Sequence, residues 1–200
     1  MEPPLSETHR LHSLNSYEIL DTAPEEAFDR LTRLAADLFD APVALISLID
    51  ADRHWVKSGV GTDQSEWPRA IAFCAHAIGL EAEAVMIVED ATLDPRFKDH
   101  PQVTGGPRIR FYAAAVLTSP SGHNLGTLCV MDDRTRPRLT GAEVERLRAL
   151  AHIAVDELEL RRVRRRAAQA QQTLERLAGM AGEEPPPADE ASAEGFRRAG

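Results

Sequence analysis

The sequence predicts a mixed α+β fold: an antiparallel sheet covered on both faces, ending in a long C-terminal helix. Three observations carry this prediction. The runs IRFYAAAVL (Ile109 to Leu117) and NLGTLCVMD (Asn124 to Asp132) have strand length and are separated by the Pro/Gly/Ser-rich TSPSGH, which reads as a β-hairpin loop. In the second run, strand periodicity places Leu125, Thr127, Cys129 and Met131 on one face and Gly126, Leu128, Val130 and Asp132 on the other. Both faces are largely apolar, as expected of a central strand buried on both sides. PRLTGAEVERLRALAHIAVDELEL follows directly and is a strong helix signal.

A chain of 200 residues predicts one domain plus extensions, and 43% hydrophobic residues suffice for a core although aromatics make up only 5%. The net charge of −9 argues against general nucleic-acid binding, with a local basic patch as the exception. No apolar run is long enough to span a membrane, and MEPPLSETHRLHSLNSYEIL has no signal-peptide core, so a cytoplasmic protein without membrane contact is expected. Cys74 and Cys129 lie far apart, each in an apolar run, and read as two buried reduced thiols rather than a disulfide framework.

Taken in order, residues 1–13 are polar, carry Pro3 and Pro4, and are expected to be loose. LNSYEIL (Leu14 to Leu20) reads as a helical turn or an extended lead-in. A helix is predicted from Thr22, where Thr22 and Glu25 have capping-box spacing and Pro24 lies in the first turn. Its apolar face is Ala27, Phe28, Leu31, Leu34, Ala35, Leu38 and Phe39, and Asp40 and Pro42 end it. VALISLID (Val43 to Asp50) is a strand, apolar on both faces, and HWVKSGV (His54 to Val60) returns as an alternating strand nearer an edge. Residues 61–68 are a polar loop. IAFCAHAI (Ile71 to Ile78) is a short helix on the sheet, stopped by Gly79, and VMIVED (Val85 to Asp90) is a strand. Residues 91–106 form a long irregular stretch of the kind that is usually functional.

The last helix opens with a capping box, Thr140 and Glu143, and runs to about Ala178. From Leu160 its apolar or small positions are Leu160, Val163, Ala167, Ala170, Leu174 and Leu177, a short heptad seam. Arg161, Arg162, Arg164, Arg165 and Arg166 flank it. They read as helix-surface charges pairing with Asp156, Glu157 and Glu159, with an acidic partner or nucleic acid as the alternative. Residues 179–200, with three successive prolines, are expected to be disordered.

The element order and the stretches LNSYEILDTAPEEAFDRLTRLAADLFD, VALISLIDADRHWVKSGVG, IAFCAHAI, DPRFKDHPQVTGGPRIRFYAAAVL and GTLCVMDDRTRPRLT resemble a GAF domain, over residues 14–160. The subgroup resembled is the bacterial one found ahead of histidine kinases and diguanylate cyclases. The resemblance implies a five-stranded antiparallel sheet in the order 2-1-5-4-3. The first and last helices would pack on one face, and the short helix and long loop would enclose a pocket on the other. It also implies a sensory or regulatory module that dimerises through its terminal helices and signals along a coiled coil, as in two-component systems. No effector is expected after the helix, which runs into the tail expected to be disordered. The chain is therefore expected either to act in trans, on a histidine kinase or diguanylate cyclase, or to be a truncated relative of a longer sensor.

The candidate ligand-binding residues are Cys74, His76, Asp94, Arg110 and Tyr112, for a small molecule that the sequence does not identify. Cys74 and His76 are two apart on a helix, so they point in different directions and do not make a joint metal site. One of them faces the pocket, or both simply pack. Arg110 shares a strand face with Tyr112 and either binds an anionic ligand or pairs with Asp94 or Asp99 to pin the loop. Asp94 reads as a turn cap and Phe97 as buried; Trp55 reads as sheet packing. Gly105, Gly106 and Pro107 read as a turn, not a phosphate loop.

Two activities on the same fold are set aside. A bilin would require a Cys within DPRFKDHPQVTGGPRIR, where there is none. The closely spaced cysteine pair of free methionine sulfoxide reductases is missing as well. With no acid–base pair, nucleophile triad, metal cluster or cofactor motif evident, a non-enzyme is expected: a ligand-controlled regulatory domain. The alternatives are a ligand-free dimerisation or interaction module and, further off, the redox enzyme.

Overall fold

The computed structural model describes residues 5–181. The chain order is α1 (Leu5–Asn15), α2 (Glu26–Leu38), β1 (Val43–Ile49), β2 (Arg53–Val60), β3 (Glu66–Pro68), a 3-10 turn (Arg69–Ile71), α3 (Phe73–Ala77), β4 (Val85–Val88), α4 (Pro101–Thr104), β5 (Phe111–Thr118), β6 (Asn124–Asp132) and α5 (Gly141–Ala181). The strands form one sheet in the order β3-β2-β1-β6-β5-β4, with every neighbouring pair antiparallel. This is the implied five-strand order with one strand added at an edge. The addition, β3, lies in the stretch expected to be a polar loop, where His54 pairs with Trp67.

Apolar residues on the two faces of the sheet build two cores. On one face Ala44, Ile46 and Leu48 of β1 and Leu128 and Val130 of β6 meet Phe28 and Leu31 of α2 and Leu147, Ala151 and Leu158 of α5. On the other, Leu45, Ile49, Tyr112 and Cys129 meet Phe73, Cys74 and Ala77 of α3 together with Phe97 and Val103. Burying each large side chain contributes about 2 kcal/mol. Trp55 packs in the helix-side core, as sheet packing requires.

Two bulges interrupt the simple alternation. Ile46 pairs with Ser58 and Ser47 with Val56, which leaves Lys57 without an opposite number. The extra residue turns Lys57 and Ser58 both toward α2. There Lys57 Nζ donates to Thr22 Oγ1 (3.0 Å), Ala23 O (2.7 Å) and Glu25 Oε1 (2.7 Å), while Ser58 Oγ donates to Asp29 Oδ1 (2.6 Å). Similarly, Leu117 pairs with Gly126 and Thr118 with Asn124, so Leu125 is the extra residue and joins the helix-side core rather than the face of Cys129 and Met131.

The buried lysine also explains one correction. The predicted capping box at Thr22 and Glu25 does not form; α2 begins at Glu26, and no side chain caps it. Thr22 Oγ1 donates instead to Ile19 O (2.6 Å), and Glu25 is engaged by Lys57 and by Arg161 Nε (2.8 Å). At α5 the predicted box is present: Thr140 N donates to Glu143 Oε2 (2.7 Å) and Glu143 N donates back to Thr140 Oγ1 (3.3 Å). The predicted helix from Ile71 to Ile78 is split into the 3-10 turn and α3. α5 continues to Ala181, past the point where the disordered tail was expected to begin; the remainder of that tail lies outside the described residues. The described residues form two units, one up to residue 162 and one from residue 163.

The N-terminal segment is the largest correction. Leu5–Asn15 is helical rather than loose. Its anchor is Glu7, which accepts from Arg10 Nε and Nη2 (2.8 Å each) and from Arg69 Nη1 (2.6 Å), tying α1 to the turn after β3. The Arg10 hydrogen bonds, with help from Arg69 and against partial burial, lower the Glu7 carboxyl from 4.5 to about 2. A carboxylate depressed in the folded state stabilises fully above its unfolded value, and that stability is lost as pH falls from 4.5 toward 2. Glu7→Gln is therefore expected to cost roughly 1–2 kcal/mol at pH 7, with a flatter acid dependence than the wild type. Urea unfolding at pH 7 and pH 3 checks this; identical curves for the two proteins would show that the triad does not hold α1.

Candidate functional site

A cavity of about 570 Å³ lies on the α3 side of the sheet. Val43 and Leu45 of β1, Tyr112 of β5 and Met131 of β6 form its floor, and Phe73 and Cys74 of α3 and Trp67 of β3 contribute walls. His54, Gln64 and Gln102 add polar groups, and Asp132 and Asp133 close one end. The strands supply these side chains because both faces of the sheet are used, so every second residue of a buried strand must point here.

The stretch from 91 to 106 is pinned rather than loose. Asp94 Oδ1 accepts from Arg96 N (2.9 Å) and Arg96 Nη2 donates to Asp94 Oδ2 (2.6 Å). Phe97 is fully buried and stacks on Phe73, with ring centroids 4.1 Å apart. His100 Nδ1 accepts from Gln102 N (3.1 Å) and so caps α4. Arg110 Nη1 donates to the carbonyls of Val103 (3.0 Å), Arg108 (3.2 Å) and Ile109 (3.1 Å).

Of the five residues expected to bind ligand, the structure brings Cys74 and Tyr112 together at the cavity. Tyr112 Oη donates to Cys74 Sγ (3.2 Å), and Ser47 Oγ donates to the same sulfur (3.6 Å). The other three lie elsewhere. His76 is exposed, meets the Phe97 ring edge-on at 4.9 Å, and borders a separate shallow depression. Asp94 is taken by Arg96. Arg110 is spent on backbone carbonyls, and the ion pair expected with Asp94 or Asp99 is not made: the salt-bridge partner of Asp94 is Arg96 and that of Asp99 is Lys98.

The cavity holds a dense polar cluster beneath its apolar walls. Cys74 and Cys129 are both buried and free. The Cys129 thiol draws the Cys74 thiol well below the ordinary cysteine value; burial opposes this, and His54 reinforces it. Cys129 is pushed up, by Cys74 and by burial. Burial, then the neighbouring sulfurs, push the Tyr112 hydroxyl up, so it stays a donor. At the far end, burial works to raise Asp132, but Arg136 Nε (2.7 Å) and Arg134 N (3.0 Å) hold it below the usual carboxylate value. Among the described residues no group of three His, Cys, Asp or Glu is placed to hold a metal ion.

Sequence reasoning missed His54 and Trp67. His54 could have been found from the strand alternation, which puts it on the face opposite Trp55; Trp67 lay in a segment without a strand signal.

The GAF domain family profile matches residues 23–158. The chain belongs to the GAF domain family. A cyclic di-GMP phosphodiesterase of Pseudomonas aeruginosa is 41% identical over 157 residues, which cover 76% of this chain and 26% of that protein. The chain thus spans about a quarter of that curated relative's length. The GAF domain of an Acinetobacter phosphoenolpyruvate-protein phosphotransferase has the same fold, with a TM-score of 0.57 at 16% identity over 78% of this chain and 95% of that one. So does a domain of a putative two-component sensor histidine kinase from Sinorhizobium meliloti, with a TM-score of 0.53 at 16% identity over 76% and 99%.

These findings support a signalling, regulatory GAF domain. They also correct one expectation. The sequence was read as a non-enzyme for want of a catalytic constellation, yet the 41% identical relative is named as a phosphodiesterase, an enzyme. No helix among the described residues is long and apolar enough to cross a membrane.

If the Tyr112 hydroxyl, 3.2 Å from the sulfur, favours the reactive form of Cys74, Tyr112→Phe should slow iodoacetamide labelling of Cys74 at pH 7 by about 3- to 10-fold, because one donor to the sulfur is lost. Timed labelling read by peptide mass spectrometry checks this; unchanged or faster labelling would remove Tyr112 from that role.

Proposed function

We propose that this GAF domain is a ligand-controlled regulatory module of a cytoplasmic signalling system: a small molecule in the cavity shifts the pairing of α5 helices in a homodimer and so sets the output of an effector enzyme. The formed cavity of about 570 Å³, with the polar cluster of Cys74, Tyr112 and His54 at its wall, is the observation that carries this reading. A ligand shifts such an equilibrium only by its differential affinity for the two arrangements, and a tenfold preference is worth about 1.4 kcal/mol. The phosphodiesterase relative favours an effector that turns over cyclic di-GMP, in the same longer chain or in trans; a histidine kinase or diguanylate cyclase in trans would be driven by the same physics.

The proposed dimer seam has support one heptad further back than the sequence first indicates. Ile153 is 46% exposed and stands seven residues before Leu160, itself 41% exposed; Val163, Leu174 and Leu177 continue the series and are more exposed still. Leu34 and Leu38 of α2 are also exposed, which favours a second reading in which the helical face alone is the working surface and the module binds a protein without a ligand.

Native mass spectrometry of the protein purified from its own host separates the readings. A dimer carrying a reproducible small mass is expected; a clean dimer shifts the case to the interaction module, and a monomer removes the helix-pairing mechanism. Leu174→Asp should weaken self-association by roughly tenfold or more, because a charge enters the seam. Sedimentation at matched concentration checks it, and an unchanged mass would place the contact elsewhere.

A further inference from the structure

We infer that the cavity takes an uncharged, ring-bearing small molecule that exchanges a hydrogen bond with His54 Nε2. This rests on the reading of the cavity as a ligand site and goes further by assigning the ligand's chemistry.

His54 is only 4% exposed, lines the cavity and acts on the Cys74 thiol electrostatically, yet its buried Nε2 makes no hydrogen bond of ordinary geometry among the described residues. Buried polar atoms are rarely left unpaired, because the desolvation cost of the group is then uncompensated. The ring is also fixed in place. His54 pairs with Trp67 across the β2–β3 edge, and the two rings stack with centroids 5.2 Å apart and planes 20° from parallel. An oriented nitrogen with an open hydrogen-bonding position, in a cavity also lined by the rings of Trp67, Phe73 and Tyr112, suits a planar molecule with one polar substituent.

Charge decides against an anion. Among the described residues lining the cavity none is Lys or Arg, and the two carboxylates, Asp132 and Asp133, stand at one end. Two arginines near the lining are used elsewhere: Arg136 by Asp132 and the carbonyls of Phe39 and Asp40, Arg110 by three loop carbonyls. A phosphate or carboxylate would therefore enter a largely apolar space beside a lowered thiol that His54 already faces, with no Lys or Arg in the described lining. The two carboxylates do not draw a cation to the His54 end either. Val43 pairs with Met131, next to the aspartates, whereas Ile49 pairs with His54, so β1 separates the histidine from the carboxylates by roughly 20 Å of strand.

Three isosteric probes test this on the full chain by calorimetric titration: benzamide, benzoate and benzamidine. Benzamide should bind, with benzoate and benzamidine each about tenfold weaker, since desolvating a charge is not repaid. His54→Phe keeps the ring against Trp67 and removes the nitrogen. It should weaken benzamide about fivefold to tenfold and leave the thermal midpoint unchanged or higher. Benzoate or benzamidine binding as well as benzamide, or wild-type benzamide affinity in His54→Phe, overturns the inference, as does failure of all three probes. An anionic metabolite carried from the host would overturn it too while leaving the regulatory reading intact; silent probes together with a ligand-free native protein would sink both.

Discussion

The fold depends on how closely β1 and β6 approach at the centre of the sheet. A Cβ on Gly126 would lie 1.9 Å from the carbonyl oxygen of Ser47 and 2.8 Å from Leu48 Cα, so any other residue would force the two strands apart. That contact sets the register in which Leu48 faces Gly126 and Leu45 faces Cys129. Register in turn decides which residues reach which core, because a slip of one would exchange the faces of both strands. It also places Ser47 beside Thr127, with Ser47 Oγ and Thr127 Oγ1 3.4 Å apart, under the sulfur of Cys74. The polar floor of the cavity is thus a consequence of this close approach of two backbones.

Much of the fold was legible because strands buried on both faces leave a strong signature. VALISLID and GTLCVMD are apolar at nearly every position, and the Thr140–Glu143 box and the Pro/Gly/Ser loop punctuate the chain at the right places. What escaped depended on partners distant in sequence. α1 has little apolar character of its own and is held by Glu7 to Arg69, so nothing within residues 5–15 announces it. β3 is three residues long and exists because Arg53, His54 and Trp55 offer an edge to pair with. The Thr22–Glu25 spacing was a true local signal overridden by a buried lysine, which satisfies its charge with the groups the cap would have used.

The site was less legible than the fold for the same reason. Cys74 and Tyr112 were found because polar or reactive groups are few in their apolar segments and so stand out. His76 and Arg110 were chosen on chemistry alone, and their direction depends on α3 being short and on carbonyls that a sequence does not display. The arginine cluster shows the opposite effect. Arg161 is consumed by Glu25 and the carbonyls of Tyr17 and Glu18, and Arg162 by Glu159 and the face of the Tyr17 ring. Two of the residues that made the patch look like a binding surface are therefore occupied within the fold.

These two arginines bear on how a cavity could affect a helix on the other side of the sheet. β2 carries His54 on the cavity face and, three residues on, Lys57 on the helix face. The bulge at Lys57 makes that crossing abrupt, and the lysine's charge is balanced by Glu25, which also accepts from Arg161 of α5. A movement of β2 that accommodates an occupant beside His54 must carry the bulge with it, and the buried ammonium cannot leave its three acceptors without a large desolvation cost. Glu25 and Arg161 would then have to follow or break. Because coupling between two sites is reciprocal, an arrangement of α5 that strains the Arg161–Glu25 contact must equally change the affinity of the cavity.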